Sequence, residues 1–228
     1  MPNENENVSV NERINNFIRQ NRTMVLGLLA FIVVVFVGFI IAYSVLGALQ
    51  NRANAAIEEL AVRYETLRPE ISADASDAVN DEIAVFVHDL EAFAGTASAY
   101  AGGKAYGILA DIYQRQQRFE DAQAAWVSAA QKAKKTYLEP VSWYNAAGTA
   151  ENLGNYENAI EYYAKSIGAQ ANFPLAVQSQ FSIGRLKEEA GDIDGAIEAY
   201  RALISGWADD AVWPNLARSR IVALETLK

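Results

Sequence analysis

Cysteine is absent from the 228-residue chain, and histidine occurs once, as His88. No disulfide framework can form, and thiolate nucleophiles and thiolate metal ligands are excluded. A single histidine with no cysteine beside it makes no zinc site, so His88 is expected as a partly exposed helix position without a catalytic role. No Ser–His–Asp set, phosphate-binding glycine loop or dinucleotide fingerprint can be read. Charge is locally missing as well: Thr23 to Asn51 contains no Asp, Glu, Lys or Arg. Within it Met24–Leu49 is almost wholly apolar. At ~1.5 Å per residue this run reaches roughly 39 Å as a helix, longer than the ~30 Å hydrocarbon core of a bilayer. It is about twice the apolar region of a signal peptide, and the small-residue triplet Ala53-Asn54-Ala55 lies beyond Arg52, too far along for cleavage. The expectation is a transmembrane signal-anchor helix over 23–50 that meets the lipid bilayer through residues 24–49.

Flanking arginines set the orientation. Arg13, Arg19 and Arg22 precede the run, and Arg52 and Arg63 follow it. The bias predicts an N-terminus in the cytoplasm, a single pass of the cytoplasmic (inner) membrane, and a periplasmic or other extracytoplasmic C-terminal domain. Residues 1–22 read as a short, polar, undocked tail. The first 48 residues carry three Arg and three Glu, so the formal charge of −9 sits in residues 49–228. That acidity excludes a nucleic-acid-binding face and close adsorption of this domain to anionic lipid.

Beyond the anchor the chain repeats. Phe119/Ala122/Trp126, Tyr156/Ala159/Tyr163 and Ile193/Ala196/Tyr200 recur at a fixed interval of 37 residues. A period of this size with helical spacing predicts stacked helix pairs, in an architecture that presents surface to partners. Ala110, Ala147 and Gly184 keep the same interval. Small residues on both helices of a pair allow close approach, and Trp126, Tyr163 and Tyr200 fill the gaps between hairpins. Gly154 and Gly191 suit left-handed turn positions; Gln117 takes the equivalent place at greater cost.

The organisation follows. Residues 51–99 form a degenerate first hairpin. One stripe is Ala53, Ile57, Leu60, Tyr64 and Leu67; the other is Val79, Ile83, Phe86, Leu90 and Phe93. Pro69 stops its first helix, Asp77 caps its second, and Gly95 with Gly102-Gly103 end it. Three repeats occupy 100–211, and 212–228 is a capping helix that starts at Trp213-Pro214. The fold class is all-α.

Carboxylate pairs are poor candidates for chemistry. Asp192 and Asp194 lack the further ligands of a calcium loop and read as a repeat turn with an acidic helix start. Glu58/Glu59 and Glu188/Glu189 read as solvated faces. No catalytic residue, metal, cofactor or small-molecule substrate is expected. The functional candidate is the groove lined by the first helix of each hairpin. It offers Lys104, Asp111 and Arg115, then Tyr144, Glu151 and Asn152, then Gln178, Phe181, Arg185 and Glu188. Tyr, Phe and Arg are anchor types at interfaces, and without a continuous Lys/Asn/Arg array a clamp for a peptide carboxylate is not expected. In the apolar run, Gly38 and Ala42 form a small-xxx-small pair able to seat another helix.

These residues resemble tetratricopeptide repeats, whose usual period is 34 residues. Trp143–Pro174 (WYNAAGTAENLGNYENAIEYYAKSIGAQANFP) and Ala190–Ile204 (AGDIDGAIEAYRALI) carry the likeness, with three extra residues per period placed in the connecting loops. The whole chain resembles the YfgM family, most closely over Ala84–Trp126 (AVFVHDLEAFAGTASAYAGGKAYGILADIYQRQQRFEDAQAAW). That resemblance implies an ancillary role at the SecYEG translocon, with the translocon, periplasmic chaperones or emerging polypeptides as partners. The alternative is a cell-envelope assembly or cell-division coordinator that binds peptidoglycan synthesis proteins.

Overall fold

The computed structural model describes residues 10–226. Residues 1–9 of the expected tail and the last two of the expected capping helix lie outside the described residues. All regular structure in the described part is helical: α1 (Val10–Gln20), α2 (Arg22–Leu67), α3 (Asp77–Thr96), α4 (Ala99–Arg115), α5 (Phe119–Lys132), α6 (Leu138–Asn152), α7 (Tyr156–Ala169), α8 (Ala176–Glu189), α9 (Ile193–Gly206) and α10 (Trp213–Glu225).

The chain divides into two units, Met1–Asn51 and Arg52–Lys228. The first holds α1 and the apolar part of α2. By length and composition, α2 is the one helix in the described residues able to cross a membrane. Its large side chains in this unit, including Phe31, Val34 and Tyr43, are exposed.

The second unit is a stack of helix pairs. Each repeated triplet opens a helix: Phe119 starts α5, Tyr156 starts α7 and Ile193 starts α9. Ala122, Ala159 and Ala196 are fully buried, as are Ala110 and Ala147. Helix α4 packs on α5, α6 on α7 and α8 on α9. The pairs then pack through α5 with α6 and α7 with α8, and α10 closes the stack against α9.

The three hairpin turns are built alike. Gln117, Gly154 and Gly191 take φ of 59°, 71° and 79°. The next residue's N–H reaches back five positions in each turn. Arg118 donates to the Tyr113 carbonyl, Asn155 to Ala150 and Asp192 to Lys187, all at 2.9 Å. This is the Schellman closure, which satisfies carbonyls left open at a helix end. The second and third turns add an N-cap. The Asn155 side chain accepts from the Asn158 N–H, and Asp192 accepts from Gly195 N–H at 2.9 Å. Arg118 makes no cap in the first turn.

The segment 52–67 of α2 and helix α3 pack against α4 through one core. Ile57, Tyr64, Leu67, Ile83, Phe86 and Leu90 meet Leu109 and Ile112 there. Burying each large side chain contributes about 1.5–3 kcal/mol.

Two local expectations need correction. Gly102 and Gly103 do not end a hairpin; they lie buried inside α4. A Cβ on Gly103 would fall 2.5 Å from the Ala133 Cβ, and one on Gly102 would fall 2.7 Å from Lys132 Cε. Their small size lets the end of α5 approach α4. The helix break lies earlier, between Thr96 and Ala99. Ser76, not Asp77, holds the N-cap position of α3, because its extended backbone turns the chain into the helix. Helix α10 begins at Trp213 with Pro214 in its first turn; Asp210 Oδ1 accepts from Val212 N at 2.8 Å and Trp213 N at 2.9 Å.

Candidate functional site

The 37-residue register sets side chains on the first helix of a pair against those on the second. Positions 107, 144 and 181 face positions 126, 163 and 200. The rings of Tyr144 and Tyr163 are 5.5 Å apart, and those of Phe181 and Tyr200 are 5.2 Å apart. In the first repeat Gly107 stands in place of the ring and Trp126 moves over it, 3.4 Å from where a Cβ would be. Trp126 Nε1 is buried there without a hydrogen-bond partner.

Six of the ten groove candidates come together: Tyr144, Glu151, Asn152, Gln178, Phe181 and Arg185 line one groove of about 620 Å³. Helices α6 and α8 form its walls, and Trp213 and Leu216 of α10 close one end. Glu151 Oε2 meets Arg185 Nη2 at 2.5 Å, and Arg185 Nη1 donates to Glu189 Oε1 at 2.9 Å. Glu151 Oε1 is buried without a hydrogen-bond partner. Burial lowers the Arg185 pKa, but its bonds to Glu151 and Glu189 outweigh that and the net shift is upward. Burial first, and then the Glu151 carboxylate, pushes the Tyr163 and Tyr144 hydroxyls up. Both phenols stay protonated at neutral pH and remain hydrogen-bond donors.

Glu188 lies outside this groove, in an adjoining recess with Phe181, Arg185, Tyr200 and Arg220. Its carboxylate accepts from Arg220 and, at 3.3 Å, from the Tyr200 hydroxyl. Tyr200–Glu188–Arg220 thus echoes Tyr163–Glu151–Arg185 one repeat on. The acid and the phenol shift by 37 positions each and the arginine by 35.

Lys104, Asp111 and Arg115 do not join the groove. Lys104 Nζ holds Glu58 at 2.7 Å. Asp111 accepts from the Tyr64 hydroxyl, pairs with Arg115 at 3.0 Å and lies 3.7 Å from Arg68. The reason is steric: the 52–67 segment of α2 covers the face of α4 that the sequence reading left open. The Lys104 bond is the largest cause that holds the Glu58 carboxyl below its usual range.

Sequence reasoning missed Gln114, Asn145, Ser182, Trp213 and Leu216, all of which line the groove. The repeat interval could have found some of them: Gln114 precedes Glu151 by 37 positions, and Asn145 precedes Ser182 by the same step. Four carboxamides result, from Gln114, Asn145, Asn152 and Gln178. None is engaged by another described side chain or backbone group. Among the other candidates, His88 is exposed on α3 and Asp192 caps α9. Gly38 and Ala42 are exposed on α2, and among the described residues nothing lies within 4 Å of a Cβ on Gly38.

Known proteins agree with this architecture. Residues 140–173 match the family model of the tetratricopeptide repeat. A TPR repeat-containing protein of Treponema pallidum (strain Nichols) is 27% identical over 227 residues, covering 93% of each chain. Response regulator aspartate phosphatase J of Bacillus subtilis (strain 168) is 31% identical over 109 residues, which is 46% of this chain and 29% of that protein. Two crystal structures of TPR-like repeats from Podosopora anserina, described as kinesin light chain, superpose with TM-scores of 0.52 at 15% identity. They cover 75% of this chain and 86% and 87% of theirs. Helices α4–α10 thus form a helical-hairpin solenoid similar to that of tetratricopeptide repeats, an architecture that generally serves protein–protein interaction.

Proposed function

We propose that this protein is a membrane-anchored scaffold whose groove between α6, α8 and α10 holds an extended, uncharged segment of a protein partner. One observation carries the reading. The groove's one arginine, Arg185, is held by Glu151 at 2.5 Å and by Glu189 at 2.9 Å, while the Glu151 Oε1 acceptor, four carboxamides and the rings of Tyr144, Phe181 and Trp213 stay open to a ligand. Carboxamides both donate and accept, so they match the backbone N–H and C=O of an extended peptide. The rings take its apolar side chains. An acidic or carboxylate-terminal ligand would find no unpaired cation in the groove.

The apolar run of α2 anchors the domain, with the arginine bias placing residues 52–228 outside the cytoplasm. The division into tail (1–22), anchor (23–50), first hairpin (51–99), repeats (100–211) and cap (212–228) belongs to the same reading. The resemblance to the YfgM family points to a place beside the Sec translocon and periplasmic chaperones, with Gly38 and Ala42 as a seat for a neighbouring membrane helix.

The test is photocrosslinking in the native membrane from Tyr144 and Gln178. Translocon subunits, chaperones or nascent chains are the expected products, and labels at exposed sites such as Val85 give none of them. Crosslinks to cell-wall synthases would move the protein to envelope assembly. Deletion of residues 1–48 is expected to release the domain and abolish co-purification with membrane partners; equal recovery by the released domain would refute the anchoring role.

A further inference from the structure

The segment expected as an undocked tail contains helix α1, and its side chains are sorted. Ile14, Phe17 and Ile18 share one side, as i, i+3 and i+4 positions do. All three are exposed, at 51%, 54% and 43%. Asn15, Asn16 and Arg19 occupy the opposite side. At about 100° per residue the apolar arc is roughly 100° wide, with Arg13 just beyond one edge; Arg22 is the first residue of α2. Residues 12–22 carry three Arg against Glu12 alone. This net-basic stretch is set in an otherwise acidic protein.

Two further features say what covers that face. Helix α1 ends one residue before the helix that holds the apolar run, so the face lies where a bilayer surface would be. The residue between them, Asn21, donates both its backbone N–H and its side-chain Nδ2 to the Phe17 carbonyl, at 2.9 and 3.1 Å. The backbone bond is the ordinary helical one, and Val25 N–H donates to the Asn21 carbonyl likewise at 2.9 Å; the added side-chain bond to the same carbonyl is of a kind that bends helices. A helix as short as α1 (11 residues) is marginal in water by itself. An apolar surface with fixed negative charge supplies what it lacks.

We propose that α1 lies in the headgroup layer of an anionic bilayer. Ile14, Phe17 and Ile18 are set among the acyl chains, and Arg13, Arg19 and Arg22 meet lipid phosphates. The arrangement is that of an interfacial amphipathic helix, and its charge answers the negative cytoplasmic leaflet. It rests on the anchoring role proposed for α2. It gives the N-terminal segment a membrane-surface site that fixes the rotation and depth of the anchor.

The absence of cysteine makes the test direct. Single-cysteine variants of the full chain, Ile14→Cys, Phe17→Cys, Asn15→Cys, Asn16→Cys and Val35→Cys, are spin-labelled and reconstituted into vesicles. Collision with oxygen and with a water-soluble nickel chelate reads depth. In vesicles containing phosphatidylglycerol, labels at positions 14 and 17 are expected to be several-fold less accessible to the chelate than those at 15 and 16. That contrast is expected to shrink several-fold in pure phosphatidylcholine. Equal accessibility at all four positions, with position 35 deep, would overturn the proposal and leave the anchor standing. A water-accessible label at position 35 would remove the anchor and the proposal together. Low accessibility of 14 and 17 to oxygen as well as to the chelate would assign the face to a protein contact instead of lipid. Shielding of equal strength in both lipids would refute the role of the arginines.

Discussion

The Tyr200 ring lies over Gly184 with no room for a methyl group: a Cβ on Gly184 would fall 2.5 Å from Tyr200 Cε1 and 2.7 Å from Cδ1. Tyr200 has no exposed surface and is hemmed in by Phe181, so the ring has nowhere to retreat. Gly184→Ala therefore sets two effects against each other. A helical Gly→Ala change alone gains about 0.5–1 kcal/mol. Overpacking costs about 1–3 kcal/mol. The expected net result is a loss of about 1–2 kcal/mol, read as a lower urea midpoint with an unchanged slope. A gain in stability would mean that Tyr200 leaves its place readily and that the α8–α9 contact is looser than the structure shows.

Glu188 ties three helices together, since it belongs to α8 and accepts from Tyr200 on α9 and Arg220 on α10. Arg220→Met keeps most of the side-chain volume and removes the charge. It leaves a mostly buried carboxylate beside a buried phenol. Arg220 is itself 42% exposed, so the expected cost is about 1 kcal/mol. That cost is local: hydrogen exchange is expected to quicken across Trp213–Glu225 and to stay unchanged in α4 and α5. Uniform acceleration through the stack would show that α10 is coupled to the whole solenoid.

Alkali is expected to destabilise the fold, in part through Tyr163 and Tyr200. Burial pushes the Tyr200 hydroxyl up to about 12, and burial with the Glu151 carboxylate raises that of Tyr163. An unfolded tyrosine titrates near 10. The folded pKa values are raised, so the stability linked to them is fully present below about pH 10. It is lost as pH climbs through the folded values, because only the unfolded chain gives up these protons cheaply. The melting temperature of the detergent-solubilised protein is expected to fall steeply from about pH 10 upward. Tyr200→Phe combined with Tyr163→Phe flattens that descent, even though the variant starts from a lower melting temperature. An equally steep fall in the double variant would assign the alkaline loss to other groups.

Helix faces and repeat register were legible because each is carried by periodicity. The 37-residue step alone places Phe119, Tyr156 and Ile193 at helix starts and puts Ala122, Ala159 and Ala196 in the core. What lacks a periodic partner could not be read that way. Trp213 and Leu216 close the groove from a helix that repeats nothing. Lys104, Asp111 and Arg115 sit in the correct register but are met by Glu58, Tyr64 and Arg68 from a segment outside the repeats. Glycine carried two meanings, and composition does not separate them. Gly154 and Gly191 serve a left-handed turn, whereas Gly102 and Gly103 serve close helix approach, which becomes visible only once Lys132 and Ala133 are placed opposite. The amphipathic α1 was readable from Ile14, Phe17 and Ile18, but a polar average over residues 1–22 hid it.

The weakest of the three hairpin turns can be repaired. Gln117 adopts φ of 59° where Gly154 and Gly191 hold the same place, and Arg118 offers no cap where Asn155 and Asp192 do. A residue with a Cβ is strained in the left-handed region by roughly 1–2 kcal/mol. Glycine removes that strain and returns part of the gain through the greater freedom of the unfolded chain. Gln117→Gly is expected to stabilise the protein by about 0.5–1 kcal/mol, and Gly154→Gln to cost a similar or larger amount. The sign of this pair is the informative result. The turns share one backbone geometry and one 2.9 Å closure, so the same residue must be favoured in each. A destabilising Gln117→Gly would mean that the Gln117 side chain contributes contacts in the first turn that outweigh its backbone strain. Arg118 complicates a second repair. It pairs with Asp121 at 2.6 Å and lies 4.5 Å over the Tyr113 ring, so Arg118→Asp exchanges those contacts for a cap and is expected to change stability less than Gln117→Gly does.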